Sequence, residues 1–128
     1  MTAPFRPNFV DHVVFFVEYV ERSRRFYASL LGDPAEEAES SVMFLVGSTR
    51  LFFVRGPSPR PAFDKERIGL NHLAFGVRTS EELQAVVRQL DTARVQHSGI
   101  RIDRYGNREF VWMDDPDGMR VEFYLRPE

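Results

Sequence analysis

Two histidines and one glutamate have the residue types and the spacing to hold a divalent metal ion. His12 and His72 each take the second place in two similar segments, DHVVFFV from Asp11 and NHLAFGV from Asn71. Glu122 interrupts an apolar run, where a carboxylate is costly to bury unless a cation or strong donors compensate its charge. Two imidazoles and one carboxylate leave coordination positions open for substrate, oxygen or water, as a catalytic metal requires. We therefore predict a metal site at His12, His72 and Glu122.

Each of these residues, taken singly, also has a purely structural interpretation. A histidine on a strand is usually a hydrogen-bonded core residue, and Glu122 could pair with Arg120, which shares its face of the strand. The third histidine, His97, lies in a polar stretch and is interpreted as a surface residue. The recurrence of metal-capable side chains at equivalent places in a repeat favours the metal interpretation over the structural one.

The repeat extends to the elements that position these residues. Each histidine segment alternates in the manner of a half-buried strand, and each is followed by a helical pattern. The first helix is predicted over Val20 to Leu31, with Gly32 as a left-handed stop, and the second begins at a capping box of Thr79 and Glu82. The expected buried faces consist of Val20, Tyr27, Leu30 and Leu31 in the first helix and of Leu83, Val86, Val87 and Leu90 in the second.

Both halves are predicted to end in a hairpin. The first joins Val42 to Val46 with Leu51 to Val54, and the second joins Phe110 to Met113 with Arg120 to Leu125. Weaker patterns indicate further strands over Glu36 to Glu39 and Val95 to Asp103. The expected fold class is α+β: a single domain, 1–128, of two βαβββ modules (about 8–55 and 68–128) separated by a proline-containing linker, 56–67. Such repeats bury their apolar faces against each other and leave a concave surface between them.

Side-chain alternation along the strands also predicts a substrate pocket. Candidates for its wall, the small residues beside His72 included, are Phe16, Phe44, Phe52, Ala74, Gly76, Phe110, Trp112 and Tyr124. Three arginines near strand ends, Arg50, Arg108 and Arg120, are candidates to meet an anionic group, although such residues are more often solvated.

Composition excludes several classes of function. The 128 residues carry 17 basic and 19 acidic side chains, a formal net charge of -2, with no basic stripe to follow phosphates, so no nucleic-acid partner is expected. No apolar run has the ~20 residues needed to cross a bilayer, and the first residues do not resemble a secretory signal, so we expect a cytoplasmic protein with no membrane partner. Because cysteine is absent, any metal must be held by nitrogen and oxygen.

The motifs resemble the vicinal oxygen chelate superfamily, which includes glyoxalase I, bleomycin-resistance proteins, fosfomycin-resistance transferases and extradiol dioxygenases. The resemblance covers nearly the whole chain and rests on DHVVFFV, SRRFYASLLG, GLNHLAFGV and DPDGMRVEFY. It implies paired modules forming a cup-shaped mixed sheet around one metal, with ligands at the positions of His12, His72 and Glu122. In such proteins the metal binds two neighbouring oxygens of a small substrate and stabilises the negative charge that develops.

Departures from the family patterns narrow the implied reaction. Glyoxalase I uses a fourth ligand where aligning TRLFF with MRVEF places Phe52, so that reaction is disfavoured. Extradiol dioxygenases often carry a tyrosine where Trp112 stands, and an indole cannot exchange a proton as a phenol does. A fosfomycin-type transferase is less consistent still, because the sole lysine is Lys65 and Val14 stands where a threonine is expected. Bleomycin-binding relatives lack the metal ligands and sequester a drug.

The resulting expectation is a metalloenzyme of the dioxygenase or lyase/isomerase type, acting on a small molecule with adjacent oxygens. One divalent ion per site is expected, with Fe(II) or Mn(II) favoured and Zn(II) or Ni(II) able to replace it. Glu122 and Tyr124 are the predicted catalytic residues, and Tyr105 and Glu109 are further candidates for the general base. The alternative is a metal-free protein that sequesters a small molecule or antibiotic. A homodimer is expected, in which the modules pair within or between chains.

Overall fold

A computed structural model describes residues 5–57 and 63–128, which form two similar compact units, Met1–Pro59 and Arg60–Glu128. In each unit a strand and a helix are followed by further strands, so the predicted βαβββ order is confirmed. The elements of the first unit are β1 (His12–Val17), α1 (Val20–Leu31), β2 (Glu36–Ala38), β3 (Ser41–Val46) and β4 (Thr49–Arg55). Those of the second are β5 (Leu73–Val77), α2 (Ser80–Thr92), β6 (Arg101–Ile102), β7 (Glu109–Asp114) and β8 (Arg120–Leu125). Part of the predicted linker, 58–62, lies outside the described residues.

The two sheets have the same strand order. In the first unit the order is β1-β4-β3-β2, and in the second it is β5-β8-β7-β6. The first strand of each sheet runs parallel to the last strand of its unit, and the remaining neighbours are antiparallel. This parallel pairing requires a crossover connection. In each unit the helix and the two strands after it provide that connection. As a result, each histidine segment lies directly beside the last strand of its own unit.

The helix of the first unit covers one face of its sheet. Tyr27 of α1 is fully buried and stacks on Phe53 of β4, with ring centroids 4.2 Å apart, and Phe44 of β3 contacts Phe53 edge-on at 6.0 Å. The prediction that Phe44 lines the pocket is therefore wrong. Phe44 pairs with Leu51 across the hairpin, and this register turns its ring toward the helix and away from the face of His12.

The second unit has an equivalent core. Leu83 and Leu90 of α2 are each 1% exposed, whereas Val86 and Val87, also on the predicted stripe, are only half-buried. The capping box is confirmed, because the Thr79 hydroxyl accepts from the Glu82 backbone N–H while the Glu82 carboxylate accepts from the Thr79 N–H. This exchange satisfies N–H groups that a helix start would otherwise leave unpaired.

The predicted end of the first helix is confirmed with one difference in backbone conformation. Gly32 closes α1 with φ 88° and ψ -176°, and its N–H donates to the Ala28 carbonyl. This is not the left-handed helical conformation that we predicted, but another positive-φ region that is open almost only to glycine. A residue with a Cβ would therefore be strained at position 32.

The predicted strand over Val95 to Asp103 is mostly wrong. Only Arg101–Ile102 pairs as a strand, preceded by a single bridge between His97 and Met113. Between them Gly99 has φ 70°, and the Ser98 hydroxyl, rather than a strand carbonyl, accepts the backbone N–H of Trp112. The side-chain hydrogen bond replaces a rung of the ladder, which alternation alone could not reveal. Within the described residues, no helix has the length and apolar character needed to span a membrane.

Candidate functional site

His72 and Glu122 lie next to each other on the second unit. Glu122 of β8 is directly opposite Ala74 of β5, and His72 immediately precedes β5. Nε2 of His72 lies 3.6 Å from Oε2 of Glu122, with the two side chains 39% and 17% exposed. This separation is longer than a hydrogen bond, so the two polar atoms approach each other without satisfying each other.

The hydrogen bonds around Asn71 determine the tautomer of His72. The Asn71 side-chain NH₂ donates to the carbonyl of Lys65 over 2.9 Å, so its oxygen must be the atom that faces Nδ1 of His72, 2.7 Å away. Because that oxygen can only accept, Nδ1 carries the proton. In the neutral imidazole Nε2 then has a free lone pair, and this lone pair belongs to the atom nearest Glu122. A lone pair close to a carboxylate suits a shared cation.

The first histidine has a related environment in its own unit. Nδ1 of His12 lies 2.9 Å from Asp11 Oδ2, and the other oxygen of Asp11 accepts from Nη1 of Arg50 over 3.3 Å. The hydrogen bond from His12 lowers the pKa of Asp11, so this carboxylate is ionised at neutral pH and holds the proton of His12 on Nδ1. His12 therefore also has Nε2 available as a metal ligand.

The two units differ at the position of the carboxylate. Phe52 of β4 lies opposite Val14 of β1, as Glu122 lies opposite Ala74, which confirms the alignment of TRLFF with MRVEF. The ring of Phe52 contacts the His12 imidazole edge-on, with centroids 5.9 Å apart. The last strand of the first unit thus places an aromatic ring beside its histidine, at the position where the second unit has the carboxylate of Glu122.

The predicted three-ligand centre is divided between the two units. His12 belongs to Met1–Pro59, whereas His72 and Glu122 belong to Arg60–Glu128. Within residues 5–57 and 63–128, no three His, Asp or Glu side chains form a group that could hold a metal ion. The structure therefore joins His72 with Glu122, and the participation of His12 stays a prediction.

The predicted pocket residues lie on the sheet faces that carry the candidate ligands. In the first unit Phe16 follows His12 and Val14 on the open face and is 61% exposed, and Phe52 pairs with Val14 on the same face. In the second unit Trp112 lies opposite Glu122, and Phe110 lies opposite Tyr124 with the two rings stacked 6.3 Å apart. Both faces therefore combine candidate ligands with exposed or half-buried apolar surface. Their role in substrate binding stays a prediction.

Tyr124 has a partner that the sequence analysis missed. Its hydroxyl donates to Oδ2 of Asp103 over 2.9 Å, and this hydrogen bond raises the pKa of Tyr124 above its ordinary value of 10.0. Asp103 also accepts the backbone N–H groups of Tyr105 and Gly106, which together with Tyr124 lower its pKa. At neutral pH Tyr124 is therefore a proton donor, which disfavours it as the general base. The sequence from Asp103 to Gly106 predicts a turn, but it does not reveal that Tyr124 bonds to Asp103.

The other candidates have mostly local partners. Tyr105 is 85% exposed and accepts from Arg104, while Glu109 begins β7 opposite Ile102. His97 is not the surface residue that we predicted: its side chain is 13% exposed, its Nδ1 accepts from the backbone of Gly99, and its Nε2 lies 2.7 Å from Asp91 Oδ1. A histidine with both ring nitrogens engaged is structural.

Comparison with known proteins supports the two-module fold. The chain is 30% identical over 125 residues to the uncharacterized protein YaeR of Escherichia coli, covering 90% of this chain and 94% of YaeR. A solved structure from Bacillus halodurans superposes with a TM-score of 0.81 at 25% identity, covering 93% of this chain and 96% of the other. A glyoxalase/dioxygenase from Nostoc punctiforme superposes with a TM-score of 0.79 at 23% identity, covering 100% and 97% respectively.

These similarities extend over the whole fold, and they confirm the predicted α+β class with its repeated βαβββ modules. The sequence model of one protein family matches residues 9–123, a range that includes both candidate histidines and Glu122. The chain therefore belongs to the Glyoxalase/Bleomycin resistance protein/Dioxygenase superfamily.

Proposed function

We propose that this protein is a divalent-metal-dependent enzyme that binds a small substrate through two adjacent oxygens. His12, His72 and Glu122 are the proposed ligands, with Fe(II) or Mn(II) favoured and Zn(II) or Ni(II) as substitutes. The reaction that best fits these residues is of the extradiol-dioxygenase or lyase type. When bound, the ion would polarise the substrate oxygens and stabilise negative charge on them.

One observation carries this proposal. Asn71 fixes the tautomer of His72 in which Nε2 carries the lone pair, and this nitrogen lies 3.6 Å from a Glu122 oxygen. A half-buried carboxylate beside a histidine lone pair is unfavourable unless a cation or proton lies between them. Within the unit, Glu122 supplies negative charge, His72 supplies a nitrogen ligand, and Asn71 holds the imidazole in orientation.

Residues near the proposed ligands disfavour two of the reactions known in the superfamily. Phe52 supplies no fourth ligand, which disfavours glyoxalase I chemistry. The sole lysine, Lys65, pairs with Glu66 over 2.7 Å, which disfavours a fosfomycin-type transferase that needs cationic side chains at its substrate. Trp112, opposite Glu122, offers an apolar ring rather than a proton-exchanging group. Tyr124 would act as a proton donor, since Asp103 keeps its hydroxyl protonated.

The test is elemental analysis of protein purified without a metal-chelating tag and reconstituted anaerobically with iron, manganese, zinc or nickel. We expect about one equivalent of metal per chain, lost in His72→Ala and sharply reduced in Glu122→Gln. His97→Gln is the matched control, because both ring nitrogens of His97 already have partners. Unchanged metal content in His72→Ala and Glu122→Gln would overturn the assignment.

A metal-free sequestering protein is the second candidate, and the open apolar face of the first unit favours it. Val14 and Phe16 are 51% and 61% exposed, an unusual level for neighbouring large apolar residues on one strand face. This function predicts binding of a small aromatic ligand that a chelator does not alter. The metal-dependent enzyme predicts that the same chelator abolishes binding of catechol.

The assembly and location of the protein are further parts of the proposal. A homodimer and a cytoplasmic location stay predictions from the sequence, with a small molecule as the expected partner. Light scattering coupled to size-exclusion chromatography checks the dimer, which should have twice the 14.9 kDa mass of one chain.

A further inference from the structure

Arg120 lies on β8 two residues before Glu122, so both side chains project from the same face of the strand. Its Nε donates to Oδ1 of Asp114 over 2.7 Å, and its guanidinium carbon lies 3.7 Å from the centroid of the Trp112 ring. The side chain is only 19% exposed. One ion pair and one stacked ring together hold the guanidinium plane in a fixed orientation.

The Nη edge of this guanidinium has no hydrogen-bond partner among the described residues. Within residues 5–57 and 63–128, no acceptor bonds to Nη1 or Nη2 of Arg120. The other two candidate arginines differ in this respect. Arg108 uses both Nη atoms on the carboxylate of Glu128, and Arg50 uses Nη1 on Asp11. Among the described residues, Arg120 is thus the one of the three candidate arginines with both Nη atoms unbonded.

A difference between the two units explains why Arg120 has this free edge. Arg50 occupies the equivalent place in the first unit, opposite His12, and its Nη1 reaches the carboxylate of Asp11. In the second unit the residue before the histidine is Asn71, whose amide is already bonded to His72 and to Lys65. Asn71 therefore offers no carboxylate to Arg120, which turns to Asp114 and Trp112 through its inner nitrogen and its ring face.

We propose that the Nη edge of Arg120 binds a carboxylate of the substrate. This inference rests on the proposed function, since it places the anionic group near oxygens held at His72 and Glu122. Residues two apart on a strand are separated by about 7 Å, a span that a small aromatic ring bridges. The substrate class is then a compact carboxylic acid with vicinal oxygens, such as a dihydroxybenzoate. Because Asp114 balances the charge of Arg120, recognition relies on the paired N–H geometry that matches a carboxylate.

Two related probes separate the role of Arg120 from that of the metal. Catechol has the vicinal oxygens alone, and 3,4-dihydroxybenzoate adds a carboxylate. Their dissociation constants would be measured by calorimetry on zinc-loaded protein, in which no oxidation of the probe competes. We expect wild type to bind 3,4-dihydroxybenzoate about tenfold or more tightly than catechol, because a charge-assisted hydrogen bond contributes a difference in affinity of that size.

Arg120→Gln should remove this preference while leaving catechol affinity within about twofold. Arg120→Lys should retain part of the preference, because lysine keeps the positive charge but lacks the paired N–H groups of the guanidinium. Arg108→Gln is the control and should behave as wild type. A preference that survives in Arg120→Gln, or that is absent from wild type while catechol binds, would overturn the proposal. Loss of catechol binding by wild type would instead count against the metal site.

A metal-independent measurement keeps the two failures apart. Trp112 is the sole tryptophan, so its indole N–H gives one resolved NMR signal beside Arg120. Sodium benzoate added to metal-free protein should shift this signal in wild type and in Arg108→Gln, but not in Arg120→Gln. Equal shifts in wild type and Arg120→Gln, with matching circular dichroism, would refute carboxylate binding by Arg120 whatever the metal content.

Discussion

The Nε2 atom of His72 lies 3.6 Å from Oε2 of Glu122, whereas the equivalent histidine, His12, contacts the ring of Phe52. The two arrangements occupy matching places in the repeat, since Glu122 lies opposite Ala74 and Phe52 lies opposite Val14. One duplicated framework thus presents a histidine with a carboxylate in one unit and a histidine with an aromatic ring in the other. This asymmetry is the reason that the acidic ligand is proposed in the second unit.

Asn71 should matter for metal affinity although it is not itself a proposed ligand. Asn71→Leu removes the acceptor that holds the proton of His72 on Nδ1, so we expect metal affinity to fall about 10- to 100-fold. Asn71→Asp keeps an acceptor, as Asp11 does beside His12, and should retain most of the affinity. Competition with a coloured chelator measures both, with exposed Gln96→Leu as control. Equal affinity in wild type and Asn71→Leu would contradict this role.

The hydroxyl of Tyr124 should ionise at unusually high pH. Because the hydrogen bond to Asp103 raises its pKa, the stability that Tyr124 contributes is present below its unfolded pKa near 10.0 and is lost as pH rises through the higher folded value. Ultraviolet titration should therefore find one fewer late-ionising tyrosine in Tyr124→Phe than in wild type. Asp103→Asn should bring that ionisation to lower pH. A titration curve unchanged by Tyr124→Phe would show that another tyrosine ionises late.

Asp103 predicts an acid dependence of opposite sign. Its folded pKa is lowered by the N–H of Tyr105 and by Tyr124, so its contribution to stability is present above the unfolded pKa and disappears as pH falls through the folded value below 3.8. In Asp103→Asn, this part of the pH dependence should be missing. Thermal unfolding from pH 7 to pH 3 measures it, and parallel curves for the variant and wild type would contradict the expectation.

Gly106 is required by the position of Tyr124. A Cβ at residue 106 would clash with the Tyr124 hydroxyl oxygen and would lie 3.7 Å from the ring carbon that carries it. Gly106→Ala should therefore lower the free energy of unfolding by about 1 to 3 kcal/mol, and the loss should be smaller in a Tyr124→Phe background. Chemical denaturation of the four proteins in this cycle measures the coupling. Additive losses would mean that the clash is relieved in another way.

Ser23 offers a stabilising substitution. Its side chain is fully buried in α1, and its hydroxyl has no hydrogen-bond partner within residues 5–57 and 63–128. Ser23→Ala removes a desolvated polar group, so we expect the free energy of unfolding to rise by about 1 kcal/mol. Ser29→Ala, in the same helix, is the control, because that hydroxyl is exposed and donates to the Phe26 carbonyl. A destabilised Ser23→Ala would imply a partner for this hydroxyl.

Local patterns were sufficient to predict most of the secondary structure. The bounds of α1, the capping box of Thr79 and Glu82, and both hairpins follow from hydrophobic periodicity and from cap and turn residues, which act over a few positions. The prediction failed at Phe44 and over Val95 to Asp103. Phe44 lies on the helix-facing side because the hairpin register places it there, and the strand is interrupted by a hydrogen bond between Ser98 and distant Trp112.

By itself, the sequence determined the repeat, the fold class, the pairing of Phe52 with Glu122 as equivalent positions, and the types of side chain on each strand face. Only the tertiary structure decided which partners those side chains have. It brought Glu122 to His72 rather than to Arg120, joined Tyr124 to Asp103, and left the Nη edge of Arg120 without a partner in the described part of the chain. Alternation fixes the face from which a side chain projects, whereas its partner depends on strand register and on loops that are distant in sequence.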